Sequence, residues 1–311
     1  MRFGLQIPNF SDGAPGALFD GVVAMAAAAE DTGYDSVWVM DHFFQLPPMG
    51  GPTAPMLDSY TLLGALAART SRVRLGAMVT GVTYRNPAHL AKIVTTIDVI
   101  SAGRAILGIG AAWYDVEHEG LGFDFPPVGE RLDRLGEALQ ICRAMFTEEA
   151  PSFDGTYYRI HEARNVPPPV QPGGPAILVG GSGERRTLNL VAHYADMCNL
   201  FGDPATIAHK VEVLRSHCDA VGRDPSEITV SRLSTLVLTA NEEETAATQD
   251  FLRQVTGEDP TGSDVGTEDE LVARVEELAA AGVDYFIFNV PTGTPDTVRR
   301  VGAVLVDRFA G

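Results

Sequence analysis

AHLAKIVTTIDVISAGRAILGIG, residues 88–110, is the stretch on which the reading of the fold turns. From Ala88 to Ser101 the apolar positions recur at helical spacing. Gly103 then supplies a residue that tolerates positive φ, and Arg104–Gly108 is a short apolar run that reads as a strand. The same unit recurs outward in both directions. Strand-like runs lie at Arg2–Ile7, Ser36–Met40, Arg74–Met78, Ala176–Val179, Met197–Phe201, Ile228–Leu238 and Tyr285–Asn289. Amphipathic stretches separate them, among them Leu18–Thr32, Arg131–Phe146, Ala205–Val221 and Glu268–Ala281, with Gly33, Gly222 and Gly282 placed like Gly103. Eight strand–helix units predict an α/β fold of the (β/α)8, TIM-barrel type, with residues 1–311 forming one domain.

Insertions are expected after strands four and seven. Pro151–Pro175, containing FDGTYYRI, reads as a small hairpin and loop ahead of strand five. Asn241–Thr267 is acidic and contains glycine, and reads as a mobile loop with a short helix.

Composition narrows the function. The 311 residues are 45% apolar and 21% charged, enough for a large core, and no apolar run suits a membrane span or a secretion signal. A cytoplasmic protein is expected. The net charge of −18 argues against nucleic-acid and anionic-lipid partners and favours a small-molecule substrate. Cys142, Cys198 and Cys218 form no CxxC pair, no histidines stand at metal-ligand spacing, and no GxSxG is present, which disfavours disulfide, metal and hydrolase chemistry.

In such a barrel the chemistry belongs to the C-terminal strand ends. Strand two ends in Val39-Met40-Asp41-His42, where a carboxylate suits a ring edge and an imidazole suits proton transfer; the same pair also suits a turn cap and a surface histidine. After strand three comes GAMVTGVTYRNP, with Asn86 and Pro87 placed as helix cap and first helical residue. Strand four runs into Gly108-Ile109-Gly110-Ala111-Ala112-Trp113-Tyr114, then Glu117 and His118. Its glycines allow close approach of a ring or phosphate, but a third glycine at dinucleotide spacing is missing. Strand five leads into Gly180-Gly181-Ser182-Gly183 and a helix expected from Glu184, a setting for an anion or for an ordinary turn. Trp113, Tyr114, Phe43 and Phe44 would rim an apolar, aromatic pocket.

Taken together, Asp41-His42, GAMVTGVTYRNP, SAGRAILGIGAAW with Glu117-His118, and LVGGSGERR resemble the bacterial luciferase-like monooxygenase superfamily, specifically its F420-dependent oxidoreductase branch. The resemblance implies a luciferase-like barrel, usually a homodimer, that binds the deazaflavin coenzyme F420, with FMN as the alternative. It implies a non-proline cis peptide near Ala77-Met78 behind the cofactor ring. Asp41 and Thr80 would lie at the ring's polar edge, Gly110 and Ala111 beside the cofactor side chain, and Gly180, Gly181, Ser182 and Gly183 at the phosphate. His42 would face the substrate.

One departure bears on substrate. The sugar-phosphate dehydrogenases of that branch carry a glutamate where Trp113 stands and a histidine where Asn289 stands, which argues against glucose 6-phosphate. His42, Trp113 and Glu117 are therefore the candidate catalytic residues, with His118 a second substitute for the missing acid. Three functions follow: an F420-dependent oxidoreductase exchanging a hydride at the deazaflavin C5, an FMN-dependent monooxygenase, or a catalytically silent carrier of either cofactor.

Overall fold

The computed structural model describes residues 1–8, 10, 14–256, 262–290 and 293–309. In chain order the first half runs β1 (Arg2–Ile7), α1 (Leu18–Asp31), β2 (Ser36–Val39), α2 (Ser59–Arg69), β3 (Arg74–Ala77), β4 (Thr80–Gly81), α3 (Pro87–Ile100), β5 (Ala105–Gly110), α4 (Asp115–Leu121) and α5 (Val128–Thr147). Then follow β6 (Phe153–Asp154), β7 (Arg159–Ile160), β8 (Ala176–Gly180), α6 (Thr187–Tyr194), β9 (Met197–Leu200), α7 (Pro204–Val221) and β10 (Thr229–Leu238). The chain continues through α8 (Glu242–Thr256), β11 (Ser263–Gly266), α9 (Glu268–Ala280), β12 (Tyr285–Asn289) and α10 (Pro295–Val301).

Eight of the strands pair in parallel and close on themselves in the order β1-β2-β3-β5-β8-β9-β10-β12, with β12 returning to β1. This is the expected (β/α)8 barrel. Helix punctuation also follows expectation. Asn86 accepts from the N–H groups of Ala88 and His89 ahead of Pro87. Gly33, Gly103, Gly222 and Gly282 all take positive φ, from 72° to 106°. The barrel interior is plugged by Trp38, Met78, Ile106, Leu178, Met197, Tyr285 and Ile287, while a larger apolar layer fills the space between strands and helices. The three cysteines are buried and free.

The β6–β7 hairpin stands where expected, antiparallel, ahead of β8. The stretch after β10 does not. Instead of a mobile loop with a short helix, Glu242–Thr256 is a full helix and Ser263–Gly266 is a further parallel strand added to the C-terminal half of β10. Residues 257–261 of that stretch lie outside the described residues. The acidity that suggested a loop instead suits a helix start: Glu242, Glu243 and Glu244 occupy the first turn, where the backbone dipole favours negative charge. Asp264 of β11 is buried against Arg232, accepting two guanidinium bonds at 2.6 and 3.3 Å plus one from Ser234 at 2.6 Å. A buried polar anchor of this kind carries no apolar alternation for sequence to reveal.

Candidate functional site

The third barrel strand is broken where it reaches the mouth. β3 pairs Gly76 with Ile106, and β4 resumes the pairing with Thr80 against Ile109, leaving one residue more on the β3–β4 side. That surplus is a β-bulge. The cis peptide joins Met78 to Val79, one residue beyond Ala77-Met78 and on a non-proline bond as the resemblance implied.

Neighbouring glycines receive the bulge. A Cβ on Gly108 would fall 2.0 Å from the Ala77 carbonyl oxygen, one on Gly110 3.0 Å from Val79 Cγ2, and one on Gly180 2.7 Å from the same methyl. Three glycines at two strand ends therefore let Val79 lie across the barrel floor. Ala77 and Met78 are buried beneath it, at 1% and 6% exposure.

His42 follows β2 at the same end. Its Nδ1 lies 2.8 Å from Glu117 Oε1, and the carboxylate also accepts from Tyr84 Oη and from the backbone N–H groups of Phe43 at 2.7 Å and Phe44 at 3.3 Å. Glu117 is fully buried. Burial alone would raise its pKa, but the donors from His42, Tyr84 and Phe43 outweigh it and hold the carboxyl below its ordinary range. Tyr84 is pushed up, first by burial and then by Glu117, so its phenol stays a donor. A carboxylate at Nδ1 requires the proton there, which leaves His42 Nε2 as the nitrogen able to take or give one. The ring is walled by Trp113 and Tyr114, edge-on at 5.6 and 5.7 Å.

The other sequence candidates sort by what they touch. Asp41 reaches the mouth region, but its carboxylate is bound by Arg85 at 2.5 and 3.1 Å and by Ser59 at 2.7 Å. Thr80 is buried and bonded to Tyr60 Oη at 2.5 Å. Ala111 gives its carbonyl to Arg131 Nε at 2.9 Å. His118 is a buried histidine with both nitrogens engaged, by the Tyr114 carbonyl and Thr83 Oγ1, each at 2.7 Å. Trp113 is 61% exposed and stacks on Tyr114, whereas Tyr114 is buried. Phe43 packs on Tyr84 and Phe123, so the aromatic rim is partly core.

Gly180–Gly183 turns at the end of β8, with φ +120° at Gly181. The helix after it starts at Thr187 rather than Glu184. Glu184 is drawn toward α7, its carboxylate 2.5 Å from Lys210 and its carbonyl 2.7 Å from His217 Nε2. Thr187 lies under the loop, 3.0 Å from where a Gly183 Cβ would be.

Sequence reasoning passed over Tyr84 and Arg85, which it read only as turn residues before Asn86. It passed over Gln6 as well. Gln6 Nε2 donates to the Met78 carbonyl at 3.4 Å, and its Oε1 accepts from Asn289 Nδ2 at 3.3 Å. Only the nearness of the Tyr-Arg pair to the bulge in sequence could have marked it. Among the described residues no cluster of His, Cys, Asp or Glu is arranged to hold a metal.

Comparison with known proteins agrees with this architecture. The family described as luciferase-like monooxygenase matches residues 1–261. An F420-dependent glucose-6-phosphate dehydrogenase of Kineococcus radiotolerans is 39% identical over 171 residues, 55% of this chain and 48% of that protein. The chain thus spans about half the length of such relatives. An uncharacterized protein of Mycobacterium tuberculosis is 32% identical over 219 residues, 66% of this chain and 76% of its own. Among solved structures, the F420-dependent tetrahydromethanopterin reductase of Methanopyrus kandleri superposes with a TM-score of 0.82 at 19% identity, covering 99% of both chains. The monooxygenase RslO1 of Streptomyces bottropensis does so at 0.82 and 22%, covering 99% of this chain and 100% of its own. With its barrel, its strand-three bulge and the family match over most of its length, this chain belongs to the luciferase-like monooxygenase family.

Proposed function

We propose that this protein is an F420-dependent oxidoreductase that exchanges a hydride between the deazaflavin C5 and a small organic substrate. The observation that carries the reading is the His42–Glu117 pair: a buried carboxylate fixes Nδ1 and leaves Nε2 to move a proton at the barrel mouth. Names of relatives support the cofactor, since several are F420-dependent glucose-6-phosphate dehydrogenases.

The residues present fit such a group. Val79 offers an apolar floor for a flat ring, and Gly181 and Gly183 keep side chains away from the loop backbone where a phosphate would sit. Bound there, F420 supplies the two-electron chemistry. His42 Nε2 takes the substrate's proton as the hydride leaves carbon, and returns it in the reverse direction. Glu117 positions the imidazole and does not meet the substrate. Trp113 gives an apolar wall where a sugar-phosphate dehydrogenase has an acid, so a substrate other than glucose 6-phosphate follows. A homodimer and a cytoplasmic location complete the reading; among the described residues no helix is long and apolar enough to cross a membrane.

The test is turnover. Oxidised F420 is incubated with a panel of alcohols, and reduced F420 with a panel of carbonyl and unsaturated compounds, following deazaflavin absorbance. Substrate-dependent change in one panel is expected. Protein-dependent incorporation of one oxygen atom from O2 into a substrate with reduced FMN, and no reaction with F420, would instead make the protein a monooxygenase.

A further inference from the structure

We infer that Asn289 Oδ1 is a binding-site acceptor, taking a hydrogen bond from a hydroxyl or N–H group of the molecule seated in the barrel mouth, and that Gln6 sets its orientation. The inference rests on the reading of the mouth as a ligand site given above.

Asn289 is the last residue of β12 and follows Tyr285 and Ile287 on the strand's inward face, both of which belong to the interior plug. It lies opposite Gln6 of β1 in the strand register. A short relay fixes its amide. The Met78 carbonyl has no proton to give, so Gln6 must turn its NH2 toward it, at 3.4 Å. That turn presents Gln6 Oε1 to Asn289, whose NH2 donates to it at 3.3 Å. The Asn289 oxygen is what remains. It is buried, on a side chain 6% exposed, and has no partner among the described residues.

A buried carbonyl left without a donor costs on the order of 1–3 kcal/mol, and such orphans call for an explanation. The other buried orphan, Asn165 Oδ1, belongs to a side chain anchored to Thr95 and the Met145 carbonyl beyond the hairpin, away from the mouth. Asn289 differs because its relay ends on Met78, the first residue of the bulge over which the ligand would lie. An amide oxygen accepts and never donates. It therefore selects a hydroxyl or N–H, from the cofactor or from the substrate, and refuses a bare carbonyl or phosphate oxygen.

The test compares wild type with Asn289→Leu, which keeps the branched heavy-atom outline and removes both the acceptor and the donor to Gln6, and with Asn289→Ala. F420 and FMN are titrated into each by fluorescence quenching, cyclohexanol and cyclohexanone are titrated into each F420-loaded protein, and the melting temperature of each unliganded protein is recorded. Roughly three- to tenfold weaker cofactor binding by both variants is expected if the donor belongs to the cofactor, whatever stability is lost with the bond to Gln6. Unchanged cofactor affinity with a lost preference for cyclohexanol over cyclohexanone places the donor on the substrate, and also supports the inference. Unchanged affinities and unchanged preference overturn it, whether or not the variants melt lower. Wild type that binds FMN but not F420 would refute the cofactor reading alone, since the FMN arm still tests the acceptor; binding of neither refutes both.

Discussion

Glu117 gathers donors from two separate segments, His42 with the Phe43 and Phe44 backbone on one side and Tyr84 on the other. Its carboxyl is held below the ordinary value of about 4.3, so it favours the folded state above that value, and the contribution fades as pH falls through the lowered one. Glu117→Gln should then lose about 2 kcal/mol of stability at pH 7, with the difference from wild type shrinking on acidification below about pH 4. Denaturant melts across pH measure this; a constant difference would contradict it. His42→Ala should lower turnover about a hundredfold or more while cofactor affinity changes little, because it removes the working nitrogen and not the floor. Unchanged turnover would remove His42 from the chemistry. At this scale the sequence was half legible. Asp41-His42 and Glu117 stood out as types, but that Asp41 is bound by Arg85 while Glu117 orients His42 depends on distances between segments that no local pattern encodes.

The β3–β4 bulge and the Gly180–Gly183 loop are the elements that shape the mouth. In sequence the glycines 108, 110 and 180 suggested room for a ligand; in the structure they make room for Val79 and the Ala77 carbonyl. The two explanations join, because a bulge accommodated by glycines is what supplies a flat apolar floor. The loop is tested separately. A side chain at Gly181 would be strained by its φ of +120°, so Ser182→Asp adds negative charge with less backbone cost. It should weaken cofactor binding at least tenfold by titration, through repulsion of the phosphate. Unaltered affinity would move the phosphate elsewhere. The α8–β11 stretch was the least legible element. Its helix opens on three acidic first-turn residues, and its strand is fixed by a buried ion pair.

At the scale of the molecule, the barrel could be read because eight strands and their glycine stops keep the same order along the chain, and each period reports on local geometry. Which ligand occupies the mouth is a different kind of information. It lies in a few polar atoms at the strand ends and in the replacements at Trp113 and Asn289. A net charge of −18 leaves the capture of an anionic cofactor to local groups rather than to the overall field. The central claim is that the mouth is built for deazaflavin. Parallel fluorescence titrations of the purified protein with F420 and with FMN test it most directly: the account predicts saturable binding with the lower Kd for F420, and tighter binding of FMN would contradict it.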